Sequence, residues 1–522
     1  MNFTAASGAV HAPARQEPAR WSSYLVFTLC ATLYLLPFMR IIIVGWDEGT
    51  FLSGAVRIVH GQVFARDFFE VMGPGTFYWL AAFFKIFGVT FLASRICLFI
   101  SSLGTALSIY FLTCRVCSRY RLLPCLVFAG ACFGGIWPGI SHHVDSNYFA
   151  LLAIVCLVLW NTSRKNSLLV AAGSLAGVTA CIHQPKGALL LCAFLVWLWL
   201  QRRRTSSPLL AAGLLAGSFL VIIALTLAYF WSQGALSSLY YVNFVFPRQH
   251  YDSVNNVVYA FRICIDYWTP WVAALGGGAK AVAIAAILIA PLVFIAALPA
   301  LLLVIAIRNK WKQAAPEIAL YWLGGWAIWL SEFHRRDIYH LVFGSPILII
   351  LCVHALTESR RKPANAALQF LAITAVCLAG FNCCVALFAG SRTTETRVGK
   401  VAVLGSDPVL RFLNEHVSPG EEVFIYPYCP TYYFLSATTN PTRFSFLLFE
   451  YNTPAQFKEV IGVLDRRRPR YVIWDTTFAT RTADNFPGSQ PVNPRDLIIE
   501  PYLESHYKMV EDDLGIHIME RK

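Results

Sequence analysis

The chain has 522 residues, of which 57% are hydrophobic and 14% are charged, and its mean hydropathy is +0.56. About a quarter of the residues of a soluble globular protein are charged, so this composition excludes an ordinary soluble protein and indicates an integral membrane protein. The formal net charge of +13 does not indicate nucleic-acid binding, because the basic residues form short clusters between long apolar runs. Almost all of the 15 cysteines lie within those runs, which excludes a disulfide framework and is typical of buried small side chains.

The apolar runs predict about eleven transmembrane helices, since a helix of about 20 apolar residues spans a bilayer. The first, 21–44, follows a polar tail of residues 1–20 that we place in the cytoplasm. We expect a retained helix rather than a removed signal peptide, because no small-residue cleavage site is present and many more apolar runs follow. The other predicted helices are 95–112, 122–140, 148–160, 167–182, 187–200, 209–231, 281–307, 318–330, 341–356 and 366–389.

Basic clusters follow every second predicted helix, which sets the orientation of the chain. These clusters include Arg115, Arg119, Arg121, Arg164, Lys165, Arg202, Arg203, Arg204, Arg308, Lys310, Lys312, Arg360, Arg361 and Lys362. The short loops on the other side are rich in His, Asp and Gln, and only Arg335 and Arg336 depart from this pattern. The positive-inside rule therefore predicts a multi-pass protein of a bacterial inner (plasma) membrane with a cytoplasmic N-terminus.

The membrane domain is predicted to cover residues 21–390, with a long first outer loop at 45–94. Within this loop, segment 74–88 is apolar but short and carries Lys85. A spanning helix here would invert the topology of everything that follows. We therefore expect an interfacial or re-entrant helix.

Residues 391–522 have the pattern of a soluble domain. Segment 407–416 predicts a helix that Asp407 caps, and 454–466 predicts a second helix. Segments 423–426 and 471–474 predict strands. The alternation indicates a small α/β domain, which lies outside the cytoplasm because the last membrane helix leads outward. The predicted fold class is an all-α polytopic membrane domain with this small C-terminal α/β extracytoplasmic domain.

Ionisable residues concentrate in four outward loops that are far apart in the sequence. Such groups are costly at a membrane boundary unless they are paired or hydrated. The pattern therefore predicts a shared functional cavity, with independently solvated loops as the alternative. The residues concerned are Asp47, Glu48, Arg66, Asp67, Glu70, His142, His143, Asp145, His183, Lys186, His334, Arg335, Arg336, Asp337 and His340.

Asp47 and Glu48 directly follow the first helix, and one carboxylate there suits a general base or a metal ligand. The alternative is a pair of interface charges that marks the end of a helix. The histidines His142, His143 and His183 could form a metal site, although they lack a tight ligand spacing. A divalent metal is therefore the one cofactor that the sequence raises.

The cations near the outer face suit binding of a phosphate group. Arginine binds phosphate through its bidentate fork and lysine binds it as a point charge. For Arg335 and Arg336, pairing with Glu332 and Asp337 is the alternative. The candidates are Arg66, Lys186, Arg335, Arg336 and His340.

The first outer loop resembles that of the GT-C glycosyltransferases, in the branch related to protein O-mannosyltransferases and the aminoarabinose transferases of lipid A. The resemblance covers about fifty residues. It is carried by GWDEGTF at 45–51, ARDFFE at 65–70, GPGTFYW at 73–79, FG at 87–88 and Arg95. Looser similarities are HQPKG at 183–187 and RDIYHLVFGSP at 336–346.

This resemblance implies a GT-C fold and a polyprenyl-phosphate-linked sugar as donor, with transfer at the extracytoplasmic face. Asp47 takes the role of base or metal ligand, and Glu48 is the neighbouring candidate. Arg66, Lys186, Arg336 and His340 are the candidates for the donor phosphate. The expected partners are the sugar donor, a lipid, glycan or protein acceptor, and membrane lipids, with no nucleic acid.

Two other functions fit the sequence less well. A transporter or flippase for a lipid-linked sugar or another solute is the main alternative, but no internal repeat is visible and the polar groups concentrate at one face. A scaffolding membrane protein leaves Asp47, Glu48 and the Arg66 block unexplained.

Overall fold

The computed structural model describes residues 21–45, 47–132, 139–251, 254–309, 315–359, 361–403, 407–478 and 498–522. The predicted cytoplasmic tail at 1–20 lies outside these residues, as do Lys310, Lys312 and Arg360 of the predicted basic clusters.

Helices make up the membrane part of the chain. Its first half contains α1 (Trp21–Leu35), α2 (Glu48–Val59), α3 (Gly75–Phe87), α4 (Phe91–Val116), α5 (Leu123–Cys132), α6 (His142–Ser163), α7 (Asn166–Ile182), α8 (Gln184–Leu200), α9 (Pro208–Ser232) and α10 (Leu236–Tyr240). Its second half contains α11 (Thr269–Ala274), α12 (Gly278–Asn309), α13 (Pro316–Ser331), α14 (Ile338–Gly344), α15 (Pro346–Glu358) and α16 (Lys362–Ala389). Between α10 and α11 the chain forms π-helical turns at Tyr241–Val245, Pro247–Tyr251 and Ile263–Trp268.

Six helical segments of the described chain are long and apolar enough to cross a bilayer. They are Trp21–Arg40, Phe91–Val116, His142–Ser163, Pro208–Ser232, Gly278–Ile307 and Lys362–Ala389. Helices α14 and α15, bent by 67° at their junction, meet the same criterion as a pair. Shorter apolar helices, α3, α5, α7 and α8, complete the bundle. The protein is therefore a multi-pass membrane protein.

Two of the predicted membrane helices are interrupted at prolines. The predicted helix 21–44 ends earlier, because Pro37 has no backbone N–H to continue the α-helical bonding. The chain passes through a 3₁₀ turn, Leu36–Arg40, into the short strand β1 (Ile41–Ile42). The predicted helix 341–356 is split at Ser345, where Pro346 begins α15.

The first outer loop is more helical than the sequence indicated. Segment 74–88 forms α3 as expected, but α2 was not predicted. Helices α6 and α8 also begin before their predicted starts. The Ser141 side chain caps α6, and Pro185 lies in the first turn of α8. His142, His143, Asp145 and Lys186 therefore belong to first helical turns rather than to loops.

The C-terminal unit combines helices with two small sheets. Its helices are α17 (Pro408–His416), α18 (Thr431–Leu435), α19 (Pro454–Arg467) and α20 (Ile499–His506). Its strands are β2 (Thr394–Thr396), β3 (Gly399–Val403), β4 (Val423–Tyr426), β5 (Tyr471–Asp475), β6 (Tyr507–Asp513) and β7 (Ile516–Arg521). One sheet has the order β4-β5-β7-β6, with β4 and β5 parallel and the other pairs antiparallel. The fold class predicted from the sequence is confirmed.

The C-terminal unit is fixed to the first outer loop by backbone contacts. Strand β1 pairs in parallel with β3 in the sheet β1-β3-β2. The Thr431 hydroxyl donates to the carbonyl of Val44 at 2.7 Å. Gly49 in α2 lies so close to Thr431 that an added Cβ would be 2.2 Å from its Oγ1. Only glycine permits this approach, so α2 and the C-terminal unit pack as one body.

Candidate functional site

A cavity of about 370 Å³ lies where the first outer loop, the segment before α11, the turn before α14 and the C-terminal unit meet. We call it the central cavity. Its lining combines charged groups with aromatic rings, the composition of a site for a polar ligand. The lining residues are Gly45, Asp47, Val71, Met72, Tyr251, Arg262, Asp266, Arg335, Asp337, Tyr339, His340, Tyr428, Phe446, Leu448, Tyr451 and Phe478.

Asp47 lies at the start of α2 and is exposed to this cavity. The hydroxyl of Tyr428, from the C-terminal unit, donates to Asp47 Oδ1 at 2.5 Å. Burial raises the pKa of Tyr428, and the adjacent carboxylate of Asp47 raises it further. Tyr428 therefore stays protonated and orients the carboxylate while the rest of Asp47 remains accessible.

On another wall, Arg335 and His340 share the carboxylate of Asp337. Nε of Arg335 lies 2.6 Å from Oδ2, and Nδ1 of His340 lies 2.6 Å from Oδ1. Burial alone would raise the pKa of Asp337, but His340 and Arg335 lower it well below the usual range. Asp337 also caps α14 by accepting from the backbone N–H of His340. The acid is ionised and fixes both basic side chains at the cavity.

A second fixed cation, Arg262, lies at the same cavity. Its Nη1 donates to both carboxylate oxygens of Asp266, at 3.1 and 3.3 Å. The hydroxyl of Tyr339 donates to Asp266 as well. Neither Arg262 nor Asp266 was predicted from the sequence, although their i,i+4 spacing is a recognisable ion-pair pattern.

Aromatic rings form the side of the cavity that the C-terminal unit contributes. The ring of Tyr428 lies 5.5 Å from that of Phe446 and 5.5 Å from that of Phe478. Tyr451 contacts Phe446 at 5.1 Å and Tyr251 at 5.6 Å. These rings could not be predicted, because nothing in the sequence of a soluble tail shows which of its aromatic residues face a distant loop.

Glu48, although adjacent to Asp47, does not line the cavity. It is buried and forms a bidentate ion pair with Arg95 of α4. The backbone N–H of Ile140 also donates to Glu48 Oε1, at 2.9 Å. Glu48 therefore joins α2 to α4 and to the start of α6, and Arg95 from the resembling motif is its partner.

Three other predicted residues also lie away from the central cavity. Arg66 is exposed and forms two hydrogen bonds with Asp67 and one with the carbonyl of Gln233. Arg336 bonds to Asn256 and lies over the ring of Phe333. None of these contacts reaches the central cavity.

Four other histidines and Lys186 meet, together with Glu332 and with His340 of the central cavity, in what we call the histidine cluster. It consists of His142, His143, His183, Lys186, Glu332, His334 and His340. Lys186 is fully buried, and its Nζ lies 2.8 Å from Ser146 Oγ and from Asn147 Oδ1 and 2.7 Å from Glu332 Oε1. Nδ1 of His143 lies 2.9 Å from Glu332 Oε2. Burial alone would raise the pKa of Glu332, but Lys186 and His143 hold it well below its usual range.

Two more predicted acids are buried, each in its own surroundings. Asp145 accepts from the hydroxyl of Ser101 in α4 at 2.7 Å. Glu70, in the loop between α2 and α3, is buried near Arg57 and Asp47, and burial raises its pKa to about 8. Glu70 is therefore mostly protonated at neutral pH.

The arrangement of membrane helices, first outer loop and C-terminal unit is the GT-C fold. No family model and no curated protein sequence matches the chain significantly. Among solved structures, ArnT from Cupriavidus metallidurans bound to undecaprenyl phosphate has 12% sequence identity and a TM-score of 0.57. That match covers 96% of this chain and 98% of ArnT.

A second solved structure with the same fold is the archaeal oligosaccharyltransferase AglB from Archaeoglobus fulgidus. It is in complex with an inhibitory peptide and a dolichol-phosphate. The identity is 12% and the TM-score 0.52, with 96% of this chain and 75% of AglB covered. At this identity the similarity establishes the fold, and the chemistry rests on the residues of the central cavity.

Proposed function

We propose that the protein is a glycosyltransferase that moves a sugar from a polyprenyl-phosphate carrier to an acceptor at the extracytoplasmic face of the membrane. The observation that carries this proposal is the position of Asp47. Its carboxylate is exposed to the central cavity and oriented by Tyr428, while Arg335, Arg262 and His340 line the same cavity. A base and several cations in one cavity are the groups that the reaction needs.

In the proposed reaction, Asp47 accepts the proton of a hydroxyl or amine of the acceptor. The acceptor atom forms a bond to the anomeric carbon of the sugar, and the bond from that carbon to the phosphate oxygen breaks. The polyprenyl phosphate leaves with the bonding electron pair. The guanidinium groups of Arg335 and Arg262 stabilise the charge that develops on the phosphate. Because Nδ1 of His340 is paired with Asp337, its Nε2 is the nitrogen that can contact the phosphate.

This assignment narrows the residues predicted from the sequence. His340 is retained, and Arg335 and Arg262 take the place of Arg66 and Arg336, which do not line the cavity. Lys186 is excluded from the proposal because it is buried against Glu332. Glu48 is assigned to the joining of α2 and α4.

Two solved structures with the same fold support the choice of donor. ArnT was solved with undecaprenyl phosphate and AglB with a dolichol-phosphate. The chain that lines the central cavity belongs to a multi-pass membrane protein, so such a carrier can keep its tail in the bilayer. The aromatic rings at Tyr428, Phe446 and Tyr451 offer apolar faces for the sugar.

The test uses the full chain in nanodiscs with radiolabelled polyprenyl-phosphate sugars, and a membrane extract supplies the acceptors. We expect label to move to a new species with the wild type and not with Asp47→Asn. Asp67→Asn is the matched control, because it removes a carboxylate of the same loop outside the cavity. Solute movement without consumption of the donor would instead support a transporter or flippase, and full transfer by Asp47→Asn would exclude Asp47 as the base.

A further inference from the structure

The histidine cluster contains a group of side chains that the proposed transfer reaction does not use. His183, Glu332 and His334 each offer one ligand atom, and these three atoms lie within 4.8 Å of one another. His183 joins α7 to α8, whereas Glu332 and His334 follow α13. The group therefore connects two distant parts of the membrane domain.

We propose that His183, Glu332 and His334 bind a zinc-type divalent ion. Two imidazoles and one carboxylate are a common set of zinc ligands, with a water molecule in the fourth position. Ligand atoms about 2.1 Å from a tetrahedral ion are about 3.4 Å apart. The three groups thus need to approach by roughly an ångström and a half at most.

The surroundings of the ligands support this proposal independently. His183 is buried, with 6% of its surface exposed, and its Nδ1 has no hydrogen-bond partner in the described parts of the chain. Such a nitrogen is costly to bury, so a ligand at this position offsets a penalty. Nδ1 of His334 lies 3.2 Å from the carbonyl of Ser331. A ring N–H bonded to a backbone carbonyl is the usual support of a metal-bound histidine, and it leaves Nε2 for the ion.

The charge around Glu332 favours zinc over magnesium or calcium. Glu332 also pairs with Lys186 and His143, and a carboxylate has enough lone pairs to keep both partners while it binds an ion. Hard cations bind mainly to several anionic or carbonyl oxygens. The proposed ligand set has one carboxylate, and the nearby ammonium group of Lys186 repels a cation. Attraction between opposite charges is therefore weak at this position. Imidazole nitrogen therefore supplies most of the affinity.

The position of the ion suggests what it would do. The segment from Glu332 to His340 carries Arg335 and His340 to the central cavity. The rings of His334 and His340 are 5.4 Å apart. Binding of the ion would fix the start of this segment to the α7–α8 turn, so these ligands are positioning residues for the cavity. The inference goes beyond sugar transfer, and ion binding is measured without any donor.

The experiment uses the full chain in nanodiscs after dialysis against a chelator, with Zn²⁺ alone as the probe. Titration against a chromophoric chelator gives affinity and stoichiometry, and Co²⁺ substitution gives an absorption band typical of tetrahedral coordination. We expect one ion per chain and an affinity that falls about tenfold or more in His183→Ala and in His334→Ala. His416→Ala is the control, because His416 is an exposed histidine of α17, and it should bind Zn²⁺ as the wild type does.

His334 decides the outcome if the buried His183 variant does not fold, because its side chain is exposed and its removal is tolerated more easily. Unchanged affinity in a folded His334→Ala protein would overturn the proposal. So would the absence of stoichiometric binding by the folded wild type. A thermal shift with Zn²⁺ in the wild type that His334→Ala loses would support it, whether or not the protein transfers sugar.

Discussion

The central cavity and the histidine cluster share His340 and use the same kinds of residues in opposite ways. In the cavity, Asp47 is exposed, Arg262 is paired with Asp266, and Arg335 and His340 share Asp337. In the cluster, Lys186 and Glu332 are fully buried and neutralise each other. A charged residue at the end of a membrane helix can therefore serve chemistry or hold helices together. The difference depends on whether the charged group is exposed, as Asp47 is, or buried against an ion-pair partner, as Lys186 is.

Asp47→Asn tests the exposed side of this comparison and should have the largest effect. The substitution keeps the size of the side chain and its acceptor for Tyr428 but removes the base. We expect transfer to fall by about two to four orders of magnitude, the usual contribution of general base catalysis. Initial rates in nanodiscs measure this effect. An unchanged melting temperature is the control that separates lost chemistry from lost structure.

Glu48→Gln tests the buried side with the adjacent residue. The variant leaves the Arg95 charge buried without its counter-ion, and breaking such a pair costs about 3–5 kcal/mol. We expect a marked fall in the melting temperature and in the yield of folded protein. If the variant were as stable as the wild type and inactive, Glu48 and not Asp47 would be the catalytic base.

The raised pKa of Glu70 predicts that its contribution to the stability of the folded protein decreases as pH rises. Its pKa is about 8 in the folded protein and lies near the ordinary value in the unfolded chain. Between these two pKa values Glu70 is protonated in the folded protein and ionised in the unfolded chain. Its contribution to the free energy of unfolding is therefore present at low pH and lost as pH rises toward 8. The loss between pH 5 and 8 is about 3 kcal/mol. Thermal melts across this range should show a weaker decline in Glu70→Gln, and parallel curves for the two proteins would contradict the prediction.

The variant Tyr428→Phe tests what the hydrogen bond from the C-terminal unit to Asp47 contributes to transfer. The change removes one hydrogen bond to the carboxylate of Asp47 and keeps the ring. A hydrogen bond to a charged group is worth about 1.5–3 kcal/mol, so we expect transfer to fall about tenfold or more. Initial transfer rates in nanodiscs provide the measurement. Phe446→Leu is a control that changes the same wall without touching the carboxylate.

Arg66→Ala should have the smallest effect. Arg66 is exposed, and an exposed ion pair such as that with Asp67 is screened by solvent and contributes little. We expect transfer within about twofold of the wild type under the same conditions. A large rise in the KM for the donor would return Arg66 to the phosphate site, where the sequence first placed it.

Sequence reasoning identified the architecture well because membrane helices are long, apolar and bounded by charge. The strand at 423–426 and the helix capped by Asp407 were also predictable, since both depend on local patterns. Helix α2 was missed because its residues, Glu48 to Val59, mix polar and apolar side chains within a loop. The break before Pro346 was missed because the apolar run continues through it.

The candidate site was only half predictable. Asp47 and His340 could be chosen because they are polar residues at the ends of apolar runs. Tyr428 and Arg262 could not, since their importance depends on a chain path that brings them to Asp47 across hundreds of residues. Burial is likewise invisible in the sequence, which is why Lys186 and Glu48 resembled accessible groups. The similarity to the GT-C first loop singled out Arg95 without showing that it pairs with Glu48.

The bond between Tyr428 and Asp47 joins residues that are 381 positions apart. A ribosome that adds about 5–20 residues per second needs roughly 20–80 seconds to travel that distance. During this interval the first loop has already been synthesised, while the wall that completes the cavity has not. A partly translated chain thus cannot assemble the site, and a chain that ends between the last membrane helix and Tyr428 would lack this wall of the cavity. The cavity is therefore complete only after the C-terminal unit has been synthesised.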